Sequence, residues 1–381
     1  MKRIINAIFQ SKKSFFPPRK VDILIYDRTG YETLIDAIEL RNEQFSYCST
    51  RLEEFNLFVL IKTILSGNIS YRSYLKQYIK LSNPKIVITF IDNNLSFYLL
   101  KKDFPKIKFI SIQNGYRFLN DQMLFTLNNT KPRNDYYSAD YYFVFNVQIK
   151  KIMEQYINAD YIVSGSLRNN KLPMSEPEYK FTGNIGFISR FTPAILKSLN
   201  EKNENNPDYI VHKFSSKLLC NTAEYCKKFN KKLMILTSKP IWLEEEKNYY
   251  KAILENYDFE YLLKDHELDS YRNLTKVDAL VSPSSTLGSE ALGRGFKVLY
   301  FSEDKILGSN LGWPFVKNLQ GPFFSNNFNY QNVENMLESI SKLSKQDWKS
   351  VLNEYSDYTC AFDENNSILK TLIKKILDNN Q

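Results

Sequence analysis

Cysteine is scarce in this chain and scattered where it occurs. Cys48, Cys220, Cys226 and Cys360 form no CxxC pair, which excludes a sequence-encoded zinc site or disulfide framework. Long hydrophobic runs are missing as well. No apolar stretch approaches the roughly 18 residues that a membrane span needs, and the N-terminus lacks a signal peptide's continuous apolar region and cleavage site, so a cytosolic protein is expected. Histidine occurs only as His212 and His266, too few to build a clustered metal site from this chain. No internal repeat, low-complexity block or nucleic-acid-binding motif is present, and nucleic acid is not an expected partner.

What is present describes a large globular protein. The 381 residues suffice for two or three domains, and 43% hydrophobic with 15% aromatic residues excludes disorder. The net charge of +9 is uneven: residues 1–20 hold Lys2, Arg3, Lys12, Lys13, Arg19 and Lys20 and no acid. Together with Ile4, Ile5, Ile8, Phe9, Phe15 and Phe16, this segment suits peripheral contact with an anionic membrane. It equally suits a solvated tail.

Short β-rich runs alternate with helical stretches along the whole chain, which argues for parallel α/β layers. Strands are expected near 21–26, 85–90, 107–112, 141–145 and 161–163, making one five-stranded sheet. A second series is expected near 185–189, 232–236, 259–262, 279–281 and 298–301. The chain then divides into a basic segment 1–20, a domain 21–168, a linker 169–184 within a polar stretch, a domain 185–330 and C-terminal helices 331–381. The expected fold class is therefore α/β, with two Rossmann-like, doubly wound parallel-sheet domains facing across a cleft.

Ligands of open parallel sheets bind beyond the carboxyl ends of the strands. The run from Val281 to Tyr300 reads as strand end, hydroxyl-rich turn, short helix and next strand. Ser284, Ser285 and Thr286 stand at the helix start, where free N–H groups and the positive dipole end favour an anion such as phosphate. Glu290, one turn on, is placed to reach a ribose hydroxyl. The same residues also fit an ordinary helix cap. Elsewhere on the strand ends, Asp92 and Asn93 close one run. Gln113, Asn114 and Arg117 follow the next, and Asp27 and Glu32 follow the first, where a capping role is also open.

These three runs, Val87 to Asn94, Phe109 to Arg117 and Ser282 to Gly295, resemble bacterial surface-carbohydrate biosynthesis proteins of about this length. Those proteins are similar to GT-B glycosyltransferases and, more distantly, to retaining transferases that use CMP-activated Kdo or other nonulosonic acids. The resemblance implies a nucleotide-sugar donor on the second domain and a glycan or lipid-linked glycan acceptor on the first, as in capsule or lipopolysaccharide assembly. No metal and no cofactor beyond the donor are implied. Arg190, Lys239 and His212 would assist the leaving phosphate. Asp92 would act as nucleophile or general base, with Glu32 and Asp27 as further carboxylates. A sialyltransferase-like His-Pro pair is absent. A sugar-nucleotide epimerase of the same fold, or a non-catalytic glycan- or membrane-binding assembly partner, remains an alternative.

Overall fold

Runs of Ile, Val, Leu and aromatic residues bounded by polar turns suit strands buried on both faces, and the computed structural model builds them into two parallel sheets. The structure describes residues 11–41, 44–51, 53–117, 122–130, 136–174, 183–303, 306, 308 and 310–378. Lys2 and Arg3 of the basic segment, and residues 175–182 of the expected linker, lie outside them. The chain divides into two compact units. One comprises Met1–Gly115, Gln122–Pro173 and Asp363–Gln381, and the other Tyr116–Asp121 and Met174–Phe362.

In the first unit the strands are β1 (Lys12–Ser14), β2 (Ile23–Tyr26), β3 (Phe45–Cys48), β4 (Glu54–Asn56), β5 (Ile86–Thr89), β6 (Lys108–Ile112), β7 (Tyr137–Val144) and β8 (Ile157–Val163). Six of them form one sheet in the order β3-β2-β5-β6-β7-β8, every pair parallel. The expected sheet of five strands is thus corrected to six. The addition is the edge strand β3, where only Phe45 and Cys48 are buried. Strands β1 and β4 make a separate parallel pair.

The last helix, Ser367–Asp378, closes this unit's core. Leu369, Ile373 and Ile376 join Ile23, Ile25, Leu34, Ile86, Ile110 and Phe143 in one buried cluster, each such side chain contributing about 1.5–3 kcal/mol. Asparagine pairs lock the segment in place. Asn170 Nδ2 donates to Asn366 Oδ1 at 3.0 Å, Asp363 N–H donates to Asn170 Oδ1 at 3.1 Å, and Asn366 Nδ2 donates to the Leu167 carbonyl at 3.1 Å. Asn169 and Asn170, at the start of the expected linker, are therefore buried parts of the first unit.

The second unit carries β9 (Asn184–Ile188), β10 (Lys232–Leu236), β11 (Phe259–Leu262), β12 (Ala279–Pro283), β13 (Val298–Phe301) and β14 (Phe324–Ser325). Their order, β11-β10-β9-β12-β13-β14, is the doubly wound dinucleotide-fold order, which reverses between its first and fourth strands. Here that reversal falls between β9 and β12. In the first sheet it falls between β2 and β5. Gly186 makes room for the side chains of its neighbours in the second sheet: a Cβ there would lie 2.8 Å from Cδ2 of Leu280, its partner on β12.

Candidate functional site

The carboxyl ends of β9 and β12 deliver Ser189-Arg190 and Ser284-Ser285-Thr286 to the reversal point of the second sheet. Ser284 is buried with φ 49°, a left-handed turn that breaks the strand and starts the helix Thr286–Gly293. The turn is held on all sides. Ser284 N–H donates to the Phe301 carbonyl at 2.9 Å, its hydroxyl donates to the Glu303 carboxylate, and the Arg190 guanidinium donates to its carbonyl. Ser285 occupies the N-cap position but its side chain makes no capping bond. Its N–H is received by Ser282 Oγ at 3.4 Å. Thr286 Oγ1 accepts the Tyr116 N–H at 3.1 Å. Gly288 lets the helix lie close against the end of β12, since a Cβ would stand 2.1 Å from Ser282 Oγ.

The outcome is a half-buried helix start with an arginine beside it, an arrangement suited to an anion. Glu290 is on the inner side of the same helix, 4% exposed, accepting the Tyr271 hydroxyl at 3.0 Å. Arg294 lies over the Tyr271 and Phe362 rings, and burial lowers its pKa against the opposing pull of Tyr271 and Glu290.

Of the remaining second-unit candidates, Lys239 is exposed, its Nζ 4.6 Å from the centre of the Trp242 ring. His212 Nδ1 pairs with the Tyr249 hydroxyl at 2.8 Å, and burial lowers its pKa. It lines a cavity of 820 Å³ together with Lys213, Ser216, Lys217, Cys220 and Phe328. Arg117 is buried.

On the first unit, Asp92 has no exposed surface. Its Oδ1 accepts the Asn114 N–H at 3.2 Å and its Oδ2 the Tyr142 hydroxyl at 2.7 Å, while the Tyr98 hydroxyl donates to its carbonyl. Gln113 spans the ends of β6 and β7, donating to the Gly115 carbonyl at 2.9 Å and accepting the Phe145 N–H at 2.8 Å. Asp92, Gln113 and Asn114 therefore form one hydrogen-bonded turn, and in this conformation the Asp92 carboxylate faces protein rather than solvent. Asn93 is exposed beside it. Asp27 is also buried, with φ 79°. It accepts the Thr29 N–H at 2.8 Å and the Thr50 hydroxyl, and pairs with Arg51 at 3.4 Å. Glu32 is exposed in the first turn of the helix Tyr31–Ile38 and lines an open groove of 710 Å³ with Tyr31, Asp36, Glu39 and Tyr47.

Two carboxylates escaped the sequence reading. Glu303 follows β13, so the strand-end rule applied to that strand would have found it. Glu246 left no such signal, because Glu244-Glu245-Glu246 reads as a solvated helix face. It is fully buried at the ends of β9 and β10, accepting the Ser238 N–H at 3.0 Å and the Ser238 hydroxyl at 3.0 Å. Burial raises its pKa above the ordinary 4.5, against hydrogen bonds from Ser189 and Ser238 that lower it. Between 4.5 and the raised value the folded chain keeps a proton that the unfolded chain has released, so stability falls as pH rises through that window. Glu246→Gln abolishes this titration. Thermal unfolding from about pH 4 to pH 8 is expected to show a flatter profile for the variant than for the wild type.

Among the described residues no three His, Cys, Asp or Glu side chains converge as a metal site. No helix among them is long and apolar enough to cross a membrane.

Two parallel six-stranded sheets, each in its own α/β unit and each with a strand-order reversal, define a GT-B-type protein of two Rossmann-like domains. Solved structures agree. A structure of wall teichoic acid polymerase TagF matches with TM-score 0.52 at 12% identity, covering 95% of this chain and 91% of its own. A "putative UDP-N-acetylglucosamine 2-epimerase" from Listeria monocytogenes matches with TM-score 0.51 at 14% identity, covering 94% of this chain and 97% of its own. Methanocaldococcus jannaschii UDP-GlcNAc 2-epimerase, in complex with UDP-GlcNAc and UDP, matches with TM-score 0.50 at 12% identity, covering 94% and 99%. No curated protein sequence matches the chain. Residues 110–377 match the model of a family described as "putative O-antigen biosynthesis protein". The chain belongs to that family.

Proposed function

We propose that the chain is a glycosyltransferase of bacterial surface-polysaccharide assembly, moving a sugar from a nucleotide-activated donor to a glycan or lipid-linked glycan acceptor. The observation that carries this reading is the helix start at the reversal point of the second sheet. There the Ser285 hydroxyl is not used as a cap, and Arg190 is fixed by the Ser284 carbonyl. Support comes from the family's O-antigen description and from a nucleotide-sugar complex with the same fold.

In the reaction the bond from anomeric carbon to phosphate oxygen breaks, the nucleotide leaves with the electron pair, and an acceptor hydroxyl oxygen bonds to that carbon. The departing phosphate is held by the helix N–H groups, Ser285, Thr286 and Arg190. Glu290 receives a ribose hydroxyl, and Lys239 and His212 supply further contacts to the donor. On the first unit, Glu32 is the exposed carboxylate assigned to take the acceptor's proton. Asp92 and Asp27 act from behind: each positions a rim turn through the hydrogen bonds described, and Asn93, Gln113 and Asn114 supply or shape acceptor contacts. Transfer requires no metal, and its place is the cytoplasmic side of the membrane, where activated sugars reside.

The test is a screen of CMP-, UDP- and GDP-activated sugars for thermal stabilisation, with CMP-Kdo among them, followed by turnover with candidate acceptors in the presence of EDTA. Conversion of a donor without any acceptor would assign an epimerase instead. Ser285→Ala and Thr286→Ala are each expected to weaken donor binding several-fold, as neutral hydrogen bonds of about 0.5–1.5 kcal/mol imply. Calorimetric titration checks this, and unchanged affinity in both variants returns the motif to a structural cap.

A further inference from the structure

One helix of the first unit wears its apolar side outward. The helix Leu57–Leu65 buries only Val59 and Thr63, and spends the Thr63 hydroxyl on the Val59 carbonyl at 2.8 Å. Its exposed face carries Ile61, Ile64 and Leu65 at 57%, 47% and 75% exposure. That inverts the pattern of a helix packed on a soluble core. The chain continues through Ile69, 74% exposed, into the helix Tyr71–Ser82.

At the other end of the same helix, β1 pairs in parallel with β4, register Ser14 to Asn56. Asn56 Nδ2 donates to the Phe16 carbonyl at 2.9 Å, which fixes Phe15 and Phe16, 66% and 82% exposed, beside the helix start. The two elements thus bring a group of large apolar side chains to one region of the surface, far more than scattered exposure produces.

Cations outnumber acids around this region. Residues 57–85 contain Lys62, Arg72, Lys76, Lys80 and Lys85 and no acid, and residues 11–20 contain Lys12, Lys13, Arg19 and Lys20 and no acid; Glu54 stands opposite Lys12, Arg72 and Lys76 pair with Asp103, and Lys85 pairs with Asp22. Lys62, Lys12 and Lys13 are exposed. An apolar face rimmed by cations complements the acyl boundary of an anionic bilayer, into which such a helix sinks about 5–10 Å.

We propose that the face formed by Phe15, Phe16, Ile61, Ile64, Leu65 and Ile69 docks on an anionic lipid surface. Lys62 and Lys13 meet the headgroups, each worth roughly a five-fold gain in partition. This surface belongs to the first unit alone and does not depend on the glycosyltransferase reading.

The experiment is cosedimentation of the full chain with vesicles of phosphatidylglycerol and phosphatidylcholine, and with phosphatidylcholine alone, without any sugar nucleotide. Failure here therefore says nothing about donor binding. Wild type is expected to pellet with anionic vesicles and to be weakened by 1 M salt, where the Debye length is about 3 Å. The double substitution Leu65→Gln with Ile69→Gln is expected to lower partition at least about tenfold. Lys62→Glu, at an exposed position, should lower binding to anionic but not to neutral vesicles; it serves also if the double variant loses its thermal transition. Wild type remaining in the supernatant, or both variants binding as wild type does, overturns the proposal. So does a wild-type dimer that the double variant dissociates while vesicle binding is unchanged, which would assign the face to a second copy.

Discussion

Replacing Arg190 with alanine is expected to lower turnover about 10²- to 10³-fold while leaving the unfolding temperature nearly unchanged. The side chain leaves the carboxyl end of β9 and its guanidinium is held by the Ser284 carbonyl, so its position is set before a ligand arrives. Such a group is most effective where charge develops, which on departure of a nucleotide is the leaving phosphate. The loss should therefore fall mainly on kcat and only weakly on KM. Lysine at this position keeps the charge but not the planar fork that can hold a carbonyl and a phosphate together, and an intermediate loss is expected. Steady-state kinetics of the three proteins checks this. Wild-type kcat in the alanine variant would remove Arg190 from the chemistry, and a large drop in unfolding temperature would make it a structural clamp.

The second large effect concerns Gly293, the last residue of the helix Thr286–Gly293. A Cβ there would stand 2.1 Å from the Cys360 carbonyl oxygen and 3.0 Å from its carbonyl carbon. Backbone cannot rotate aside as a side chain can. Overpacking costs about 1–3 kcal/mol, with the upper end expected against main chain, offset by roughly 1 kcal/mol of helix propensity gained on leaving glycine. A net loss near 2 kcal/mol in a unit of this size lowers the melting temperature by roughly 4–8 °C. Thermal unfolding of Gly293→Ala tests it, and a melting temperature equal to wild type would mean that the segment around Cys360 moves freely.

Elements bounded by clear punctuation were legible residue by residue. Lys232–Leu236, Phe259–Leu262 and Val298–Phe301 appear where the sequence places them, because each is an apolar or β-branched run closed by polar or glycine-rich turns. Strand β3 was not legible: Ser46 and Tyr47 face a half-open edge, and two buried residues in four carry little pattern. The pairing of β1 with β4 joins segments about forty residues apart, which local periodicity cannot register. For the candidate site, the strand-end rule led directly to Asp92, Gln113 and Ser284. What it could not reveal is that Tyr142, fifty residues on, buries the Asp92 carboxylate, since the partner becomes a neighbour only once β6 and β7 pair. Glu246 shows the same limit from the other direction: a residue within an acidic run looks solvated until Ser238 arrives from β10.

Leu369, Ile373 and Ile376 complete a core begun by Ile23 and Leu34, so the first unit cannot close during synthesis until the helix Ser367–Asp378 has left the ribosome. With elongation at about 5–20 residues per second, the interval between Pro173 and Asp363 lasts roughly ten to forty seconds. Throughout it the nascent unit holds an open apolar sheet face while the second unit, whose segment from Met174 to Phe362 is continuous, is free to fold. The unit whose strands are made before the second is then finished after it, and a change within Ser367–Asp378 acts on the sheet that holds Ile23 and Ile25.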